Sequence, residues 1–520
     1  EKGGDGQPEF AIGAIISGGY AGGYTVSQVQ GGSYNASTGS GVVAQSEATV
    51  VAQGFGWNST TATAGLNTFT TSSADPVNML TGNMFHSERD LSIKGRGGLP
   101  IVFERWYNSQ APTDGPLGFG WTHSFNHLLR FYGLEDGAAK LGWIDGTGAE
   151  RYFSTNSHVN GNLLQGTHPS PAGVFVVFER LADGKYRLTE RNGLKYVFES
   201  YNAGSTTCGS APATCPTAKL LSITDRNNNT LTLSYLSSRL DKLTDGLNRQ
   251  LTFSYTGTRI YEIADWSGRK VRFEYDGAGN LTKAWNALAL ASTQNPVEYQ
   301  YYSIDDGERL SHAMKQYKLP RGNGMRFDYY ANGRVFRHTP FGTDGVPKDG
   351  HATTFVWNEF RREARTVNPR GHERQFIFDK YGNPIKITEE DGAEREYTYH
   401  VENPATVNLR KTSKDPQGLV TQYHYDASGN VTQMDLPTGM VHYMDYNSFG
   451  QPQRVQDARG NWRLLAYDVR GNLTDEVVLK AGFVPTAGTT PAAAQVLAWT
   501  QFGYDAYGNP TATKRLRSFA

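Results

Sequence analysis

The chain has 520 residues, 50 basic and 50 acidic side chains, 59 glycines and 29 tyrosines. Cancelling charge, with no block of one sign, argues against a nucleic-acid or anionic-membrane partner, and no run of eighteen apolar residues marks a membrane span. So many turn residues and rings, with modest aliphatic content, point to a turn-dense β protein.

Residues 1–74 are rich in Gly, Ser, Thr and Ala, and their only charges are Glu1, Lys2, Asp5, Glu9 and Glu47. Few large apolar groups are present to offset ordering entropy, yet Val42-Val43 and Ala48–Ala52 have strand character. An arm that orders against a neighbouring subunit or another envelope protein meets both observations. Glu1 follows no initiator Met or signal peptide, so a processed portion of a longer protein is expected. Residues 75–217 read as short strands with glycine turns, for example Gly173–Arg180 and Tyr186–Arg191. The two cysteines, Cys208 and Cys215, are flanked by Gly and Pro in this stretch. An isolated pair of this kind is expected to form a disulfide, which suits an extracellular or cell-surface location.

From about residue 218 to 520 one pattern recurs: a turn residue, then an aromatic ring seven positions later. The pairs are Asn228/Tyr235, Asn248/Tyr255, Gly268/Tyr275, Gly322/Tyr329, Gly371/Phe378, Gly392/Tyr399, Gly418/Tyr425, Gly439/Tyr446 and Gly460/Tyr467. Unbroken runs repeat every 20 or 21 residues, a period that marks a repeat architecture. Offset five is apolar (Leu233, Phe253, Phe273, Phe327, Phe376, Tyr397, Tyr423, Met444, Leu465) and its neighbours are mostly polar. Alternation of this kind marks strands with one dry face, so the nine rings are the predicted repeat core. Many rings run directly into Asp-x-x-Gly-Asn, as in Tyr275-Asp276-Gly277-Ala278-Gly279-Asn280 and Tyr425-Asp426-Ala427-Ser428-Gly429-Asn430. Asp can accept from backbone two residues on and Gly can take positive φ, so this is a hairpin turn. The fold class expected is all-β: antiparallel hairpins with strands of roughly eight residues. The stretch Ala287–Pro296 reads as irregular and Ala481–Gln495 as an exposed loop insertion.

The Tyr-Asp-x-x-Gly-Asn units resemble the YD repeats of the Rhs family, which includes bacterial polymorphic toxins, the C components of insecticidal toxin complexes and the teneurins. Upstream, Asp75-Pro76-Val77-Asn78, Thr81-Gly82-Asn83, Asp90-Leu91, Arg105-Trp106-Tyr107-Asn108-Ser109 and Gly118-Phe119-Gly120-Trp121 resemble that family's N-terminal domain of unknown function. The resemblance implies a β-strip spiralling into a shell or tube, with the N-terminal domain near one end, and the repeats are expected to continue beyond residue 520.

Segments that could carry chemistry read more simply as structure. Asp415-Pro416-Gln417-Gly418-Leu419 resembles a self-cleavage motif of Rhs toxins, but Gly418 is the phased turn glycine of an ordinary repeat. Asp225-Arg226-Asn227-Asn228-Asn229 starts like a calcium loop, yet Thr230 and Leu236 stand where that loop needs Gly and Glu. His123 and His127 would share a strand face but have no third ligand or Glu partner in the motif. Exposed Tyr and Trp rings could stack on glycans, which stays open as a partner class behind the reading of most rings as core. No catalytic, cofactor-binding or metal residue is therefore assigned. The function expected is that of a non-enzymatic secreted scaffold or spike; the alternative is the β-shell of an Rhs-type toxin around a C-terminal effector.

Overall fold

The computed structural model describes residues 77–520 except 112, 172–173, 202–207, 209–214, 293, 404–405, 481, 487 and 517–520; of residues 1–76 it describes only 34–35 and 40–41, which pair as a short ribbon. The rest of the expected arm, including Val42-Val43 and Ala48–Ala52, lies outside the described residues.

An antiparallel sheet of 32 strands dominates. From Gly166–His168 to Pro510–Leu516 each strand pairs with the next in sequence, as a continuous meander. The strip is open: among the described residues Pro510–Leu516 pairs only with Val496–Tyr504. Strand Thr217–Thr224 is a branch point. Its first three residues pair with Leu128–Glu135, and its second half pairs with Lys195–Phe198 and Thr230–Leu236. The division expected between residues 217 and 218 therefore falls inside one strand. The sheet begins before the phased repeats do.

A small separate sheet, Phe85–Ile93, Ile101–Asn108 and Trp121–His123, packs against the strip. Phe103 lies 6.1 Å from Phe253 and 6.3 Å from Phe273, ring to ring, at the centre of the main core. Fully burying a side chain of this size contributes about 1.5–3 kcal/mol.

Within a repeat, Thr230–Leu236 buries Leu231 and Leu233 and exposes Thr232 and Ser234. The pairing register then shifts between Ser234 and Tyr235, and a shift recurs directly before Tyr255, Tyr275, Tyr329, Phe378, Tyr399, Tyr425 and Tyr467. A bulge there bends the strand and turns the ring toward the strand before it. That preceding strand needs a donor. Between successive hairpins the ladder is often only three residue pairs long, as in Lys242–Thr244 against Gln250–Thr252, 262–264 against 270–272, and 412–414 against 420–422. Beyond those pairs the tyrosine hydroxyl donates to a carbonyl fifteen residues upstream: Tyr235 to Leu220, Tyr255 to Leu240, Tyr275 to Ile260, Tyr329 to Met314, Tyr399 to Pro384, Tyr425 to Arg410, Tyr446 to Val431 and Tyr467 to Pro452. Phe378, the one ring without a hydroxyl, sits where the ladder runs five pairs and its own N–H donates to Arg362 O at 2.9 Å. The ring supplies burial, and the hydroxyl supplies the bond that the splayed backbone lacks.

Tyr235, Tyr255, Tyr275 and Tyr329 pack on the main core, which contains Phe378; Tyr425 and Tyr446 pack on a second cluster with Tyr423, Met434 and Tyr443. Tyr399 is buried and Tyr467 half-buried. Three details differ from the sequence expectation. The offset-five position slips in one repeat, where Tyr443 is buried and Met444 only half-buried. There Gly439 pairs with Leu436 across a two-residue turn and Asp445 takes φ 56°, which moves the phase by one residue. The strands Thr230–Leu236 and Arg239–Thr244 have 7 and 6 residues, shorter than expected, because the bulge and turn take the remainder. Finally, Ala287–Ser292 is a helix, started by Asn286 Oδ1 accepting from Ala289 N at 2.8 Å.

Candidate functional site at the coil seam

The Asp-x-x-Gly-Asn turn closes on itself. In Asp276–Asn280 the Asp276 carboxylate accepts from Asn280 N (2.8 Å) and Asn280 Nδ2 (2.9 Å), while Gly279 N donates to Asp276 O. The Asp-to-Asn bonds recur in 379–383, 426–430, 468–472 and 505–509. The residue before the last takes positive φ, as Gly279 does at 90°. On the opposite edge of the strip Asn228, Asn248 and Gly268 play that part at 63°, 59° and 87°. Asn is the side chain other than Gly that most readily adopts this conformation.

These turns meet across large gaps in sequence. Arg191 donates to Ser428 O, 237 residues on, and its guanidinium lies over the Phe175 ring. The amides of Asn227 and Asn472 bond reciprocally at 3.2 and 2.9 Å, 245 residues apart, and both are buried. Asn229 Nδ2 donates to Tyr507 O at 2.8 Å across 278 residues. One edge of an early part of the strip thus stacks on the opposite edge of a later part, so the strip coils back on itself. Close approach there needs bare backbone: a Cβ on Gly508 would fall 2.3 Å from Asn227 Nδ2, and one on Gly429 2.2 Å from the Phe175 ring.

The N-terminal sheet docks on the first coil through polar anchors. Tyr107 OH donates to His312 O (2.8 Å) and accepts from Met314 N (2.7 Å), and Trp121 Nε1 donates to Tyr301 OH (2.8 Å). Phe119 stacks on His312 with centroids 3.6 Å apart. Arg105 is 1% exposed and donates to both Asp90 oxygens at 2.5 and 3.0 Å. Burial alone would lower its pKa, but the Asp90 carboxylate raises it well above the usual value, so the buried guanidinium stays charged.

The segments singled out from sequence are occupied by structure. Asp415 accepts from Gln417 N (3.0 Å) and Leu419 N (2.8 Å) as an ordinary turn aspartate. Asp225 accepts from Asn227 N, Asn229 N and Asn229 Nδ2, each at 2.8 Å. The strand carrying His123 ends at that residue, and His127 lies in the following connection. His123 stacks on Phe103 and His127 on Tyr196; burial holds their pKa values down to about 3 and about 4. Glu190, the last residue of strand Tyr186–Glu190 before the turn that carries Arg191, is pushed up to about 7 by burial, with Arg151 opposing. Cys208 and Cys215 are joined as a disulfide, with Cα atoms 5.1 Å apart. A groove of about 650 Å³ includes His424, Gln433, His442 and Asp445, and His424 Nε2 lies 2.7 Å from Asp435 Oδ2. Among the described residues no three His, Cys, Asp or Glu side chains converge as metal ligands.

Residues 74–153 match a family described as Domain of unknown function (DUF6531), and residues 408–439 match the family described as RHS Repeat. The second match covers the hairpin through Tyr425 and its Asp426–Asn430 turn. Both matches are consistent with an Rhs/YD-repeat family. No curated protein matches this YD-repeat chain. Among solved structures it is similar to TcdB2-TccC3 without its hypervariable C-terminal region (10% identity, TM-score 0.41, covering 80% of this chain and 26% of that one). It is also similar to the Photorhabdus luminescens Tc holotoxin pore (10%, TM-score 0.42, covering 83% and 26%). A third is the N-terminal domain of the effector SpvB from Salmonella typhimurium (9%, TM-score 0.20, covering 49% and 98%). The chain spans about a quarter of the length of the toxin-complex chains, and no residue role passes from them at this identity. No helix among the described residues is long and apolar enough to cross a membrane.

Proposed function

We propose that this YD-repeat chain is a non-enzymatic, secreted structural protein, a stiff β casing at the cell surface or in the envelope. One observation carries the reading: the groups that could act chemically are engaged in holding the strip together. The turn carboxylates of Asp225, Asp276, Asp415 and Asp426 accept backbone N–H bonds, and Asn227 and Asn472 tie one coil to the next. Coils joined through side-chain bonds at intervals of 237–278 residues resist unwinding more than a free meander would. The Cys208–Cys215 disulfide suits an oxidising compartment. Residues 1–74 supply the contact to other copies or envelope proteins.

The test is protease shaving and thiol alkylation on intact producing cells. Cleavage of the protein at the surface, with Cys208 and Cys215 refractory to alkylation before reduction, is the expected result. Protein found inside the cell with both thiols alkylatable would overturn the surface casing, and would favour a shell made around a toxic effector.

A further inference from the structure

We propose that the loop Lys94–Gly98 of the N-terminal domain is a clasp that fastens the second coil to the first. Three distant stretches of chain meet at this loop. Gly97 N donates to Asn509 Oδ1 at 2.9 Å, 412 residues away. The Arg96 guanidinium lies 3.9 Å over the Tyr507 ring, in the same turn. Tyr507 O accepts from Asn229 Nδ2 of the first coil at 2.8 Å, and Arg249, one hairpin further on, donates to Lys94 O at 2.7 Å. The loop therefore touches both coils where they touch each other.

Its sequence fits that place. Gly97 has φ +61°, and a Cβ there would fall 1.8 Å from Tyr507 O and 2.2 Å from Asn229 Nδ2. A residue with a side chain would push the later turn off the earlier one, so glycine is required by conformation and by space together. The clasped turn leads directly into Pro510–Leu516, which among the described residues pairs only with Val496–Tyr504. The clasp thus adds to the Asn227–Asn472 and Asn229–Tyr507 bonds in holding the second coil's last described hairpin on the first coil, and it does so independently of where in the cell the protein works. Releasing it frees the 496–516 hairpin as a unit and leaves the strands under the N-terminal sheet in place.

Hydrogen exchange by mass spectrometry on the full chain tests this. The double variant Arg96→Ala/Asn509→Ala removes the ring contact and the acceptor from half-buried positions. The comparator is Asn461→Ala, which removes the same intra-turn bond (Nδ2 to Asp457 Oδ2, 3.0 Å) away from the clasp. The double variant should exchange at least tenfold faster over 496–516 and at turn 225–229, with Met314–Phe341 unchanged; Asn461→Ala should loosen only its own hairpin. A second variant, Arg96→Cys/Tyr507→Cys, oxidised, should slow exchange over 496–516 below that of the parent chain. Unchanged exchange over 496–516 in the double variant, loosening spread equally to 314–341, or no slowing in the cross-linked chain would each overturn the proposal.

Discussion

Replacing Tyr255 by Phe removes one hydroxyl and leaves the ring that packs on the core. The hydroxyl donates to Leu240 O at 2.9 Å, beyond the three-pair ladder that joins 242–244 to 250–252. A neutral hydrogen bond contributes about 1 kcal/mol net, and a carbonyl left without a donor costs about 1–3 kcal/mol. With the ring retained, a loss of about 1–2 kcal/mol is expected, or roughly 5–30-fold in the local opening equilibrium. Burial pushes the Tyr255 pKa up to about 12, so the donor is present at any ordinary pH and the loss should not vary between pH 6 and 9. A chain of this length need not unfold in one step, so local exchange of amides in 239–256 is the suitable assay rather than a single unfolding midpoint. Phe378→Tyr is the control: the five-pair ladder and the bond from Phe378 N to Arg362 O leave no carbonyl waiting, so no gain is expected. Unchanged exchange in Tyr255→Phe, or a gain in Phe378→Tyr as large as that loss, would refute the role given to the hydroxyl.

Cys208 and Cys215 should resist alkylation in the native protein and add two modified thiols only after reduction, read by intact mass. Acid should destabilise the N-terminal domain. His123 and His127 have folded pKa values below the unfolded value near 6.5, so their contribution is full above pH 6.5 and is lost as pH falls toward 4, by up to about 1.4 kcal/mol per group per pH unit. Glu190, with a folded pKa near 7, acts in the opposite sense between pH 4.5 and 7; Glu190→Gln should therefore be more stable than the parent at pH 8 and should steepen the loss in acid. A flat stability profile from pH 7.5 to 5, followed by exchange in 121–145, would contradict the buried neutral histidines. Deleting residues 1–70 should reduce the oligomeric state by mass photometry; monomers before and after deletion would make the arm a passive segment.

Much of the strip was legible because each turn states its own conformation. Asn228, Asn248 and Gly268 stand where φ is positive, and rings at fixed spacing follow from one dry face. The slip at Tyr443 was not legible, because Gly439 looks like its fellows and only pairing with Leu436 reveals a two-residue turn. The tyrosine hydroxyl does have a signal in the sequence: eight of the nine phased rings are Tyr, which burial alone does not demand. The six-residue helix at Ala287 depends on one cap and is too short for a periodic pattern to announce. The seam had no local signal at all. Asn227 and Asn472 each look like ordinary turn residues, and their bond across 245 residues exists only once the strip has curved through a full coil.

That bond offers the most direct test of the coiled architecture. Asn227→Cys/Asn472→Cys, oxidised under native conditions and mapped by peptide mass, should give one cross-link between the two turns with the Cys208–Cys215 bridge intact. Single variants at either position should give none. Two freely alkylatable thiols at 227 and 472 in a folded chain, with no cross-link formed, would contradict the stacking of one coil upon the other.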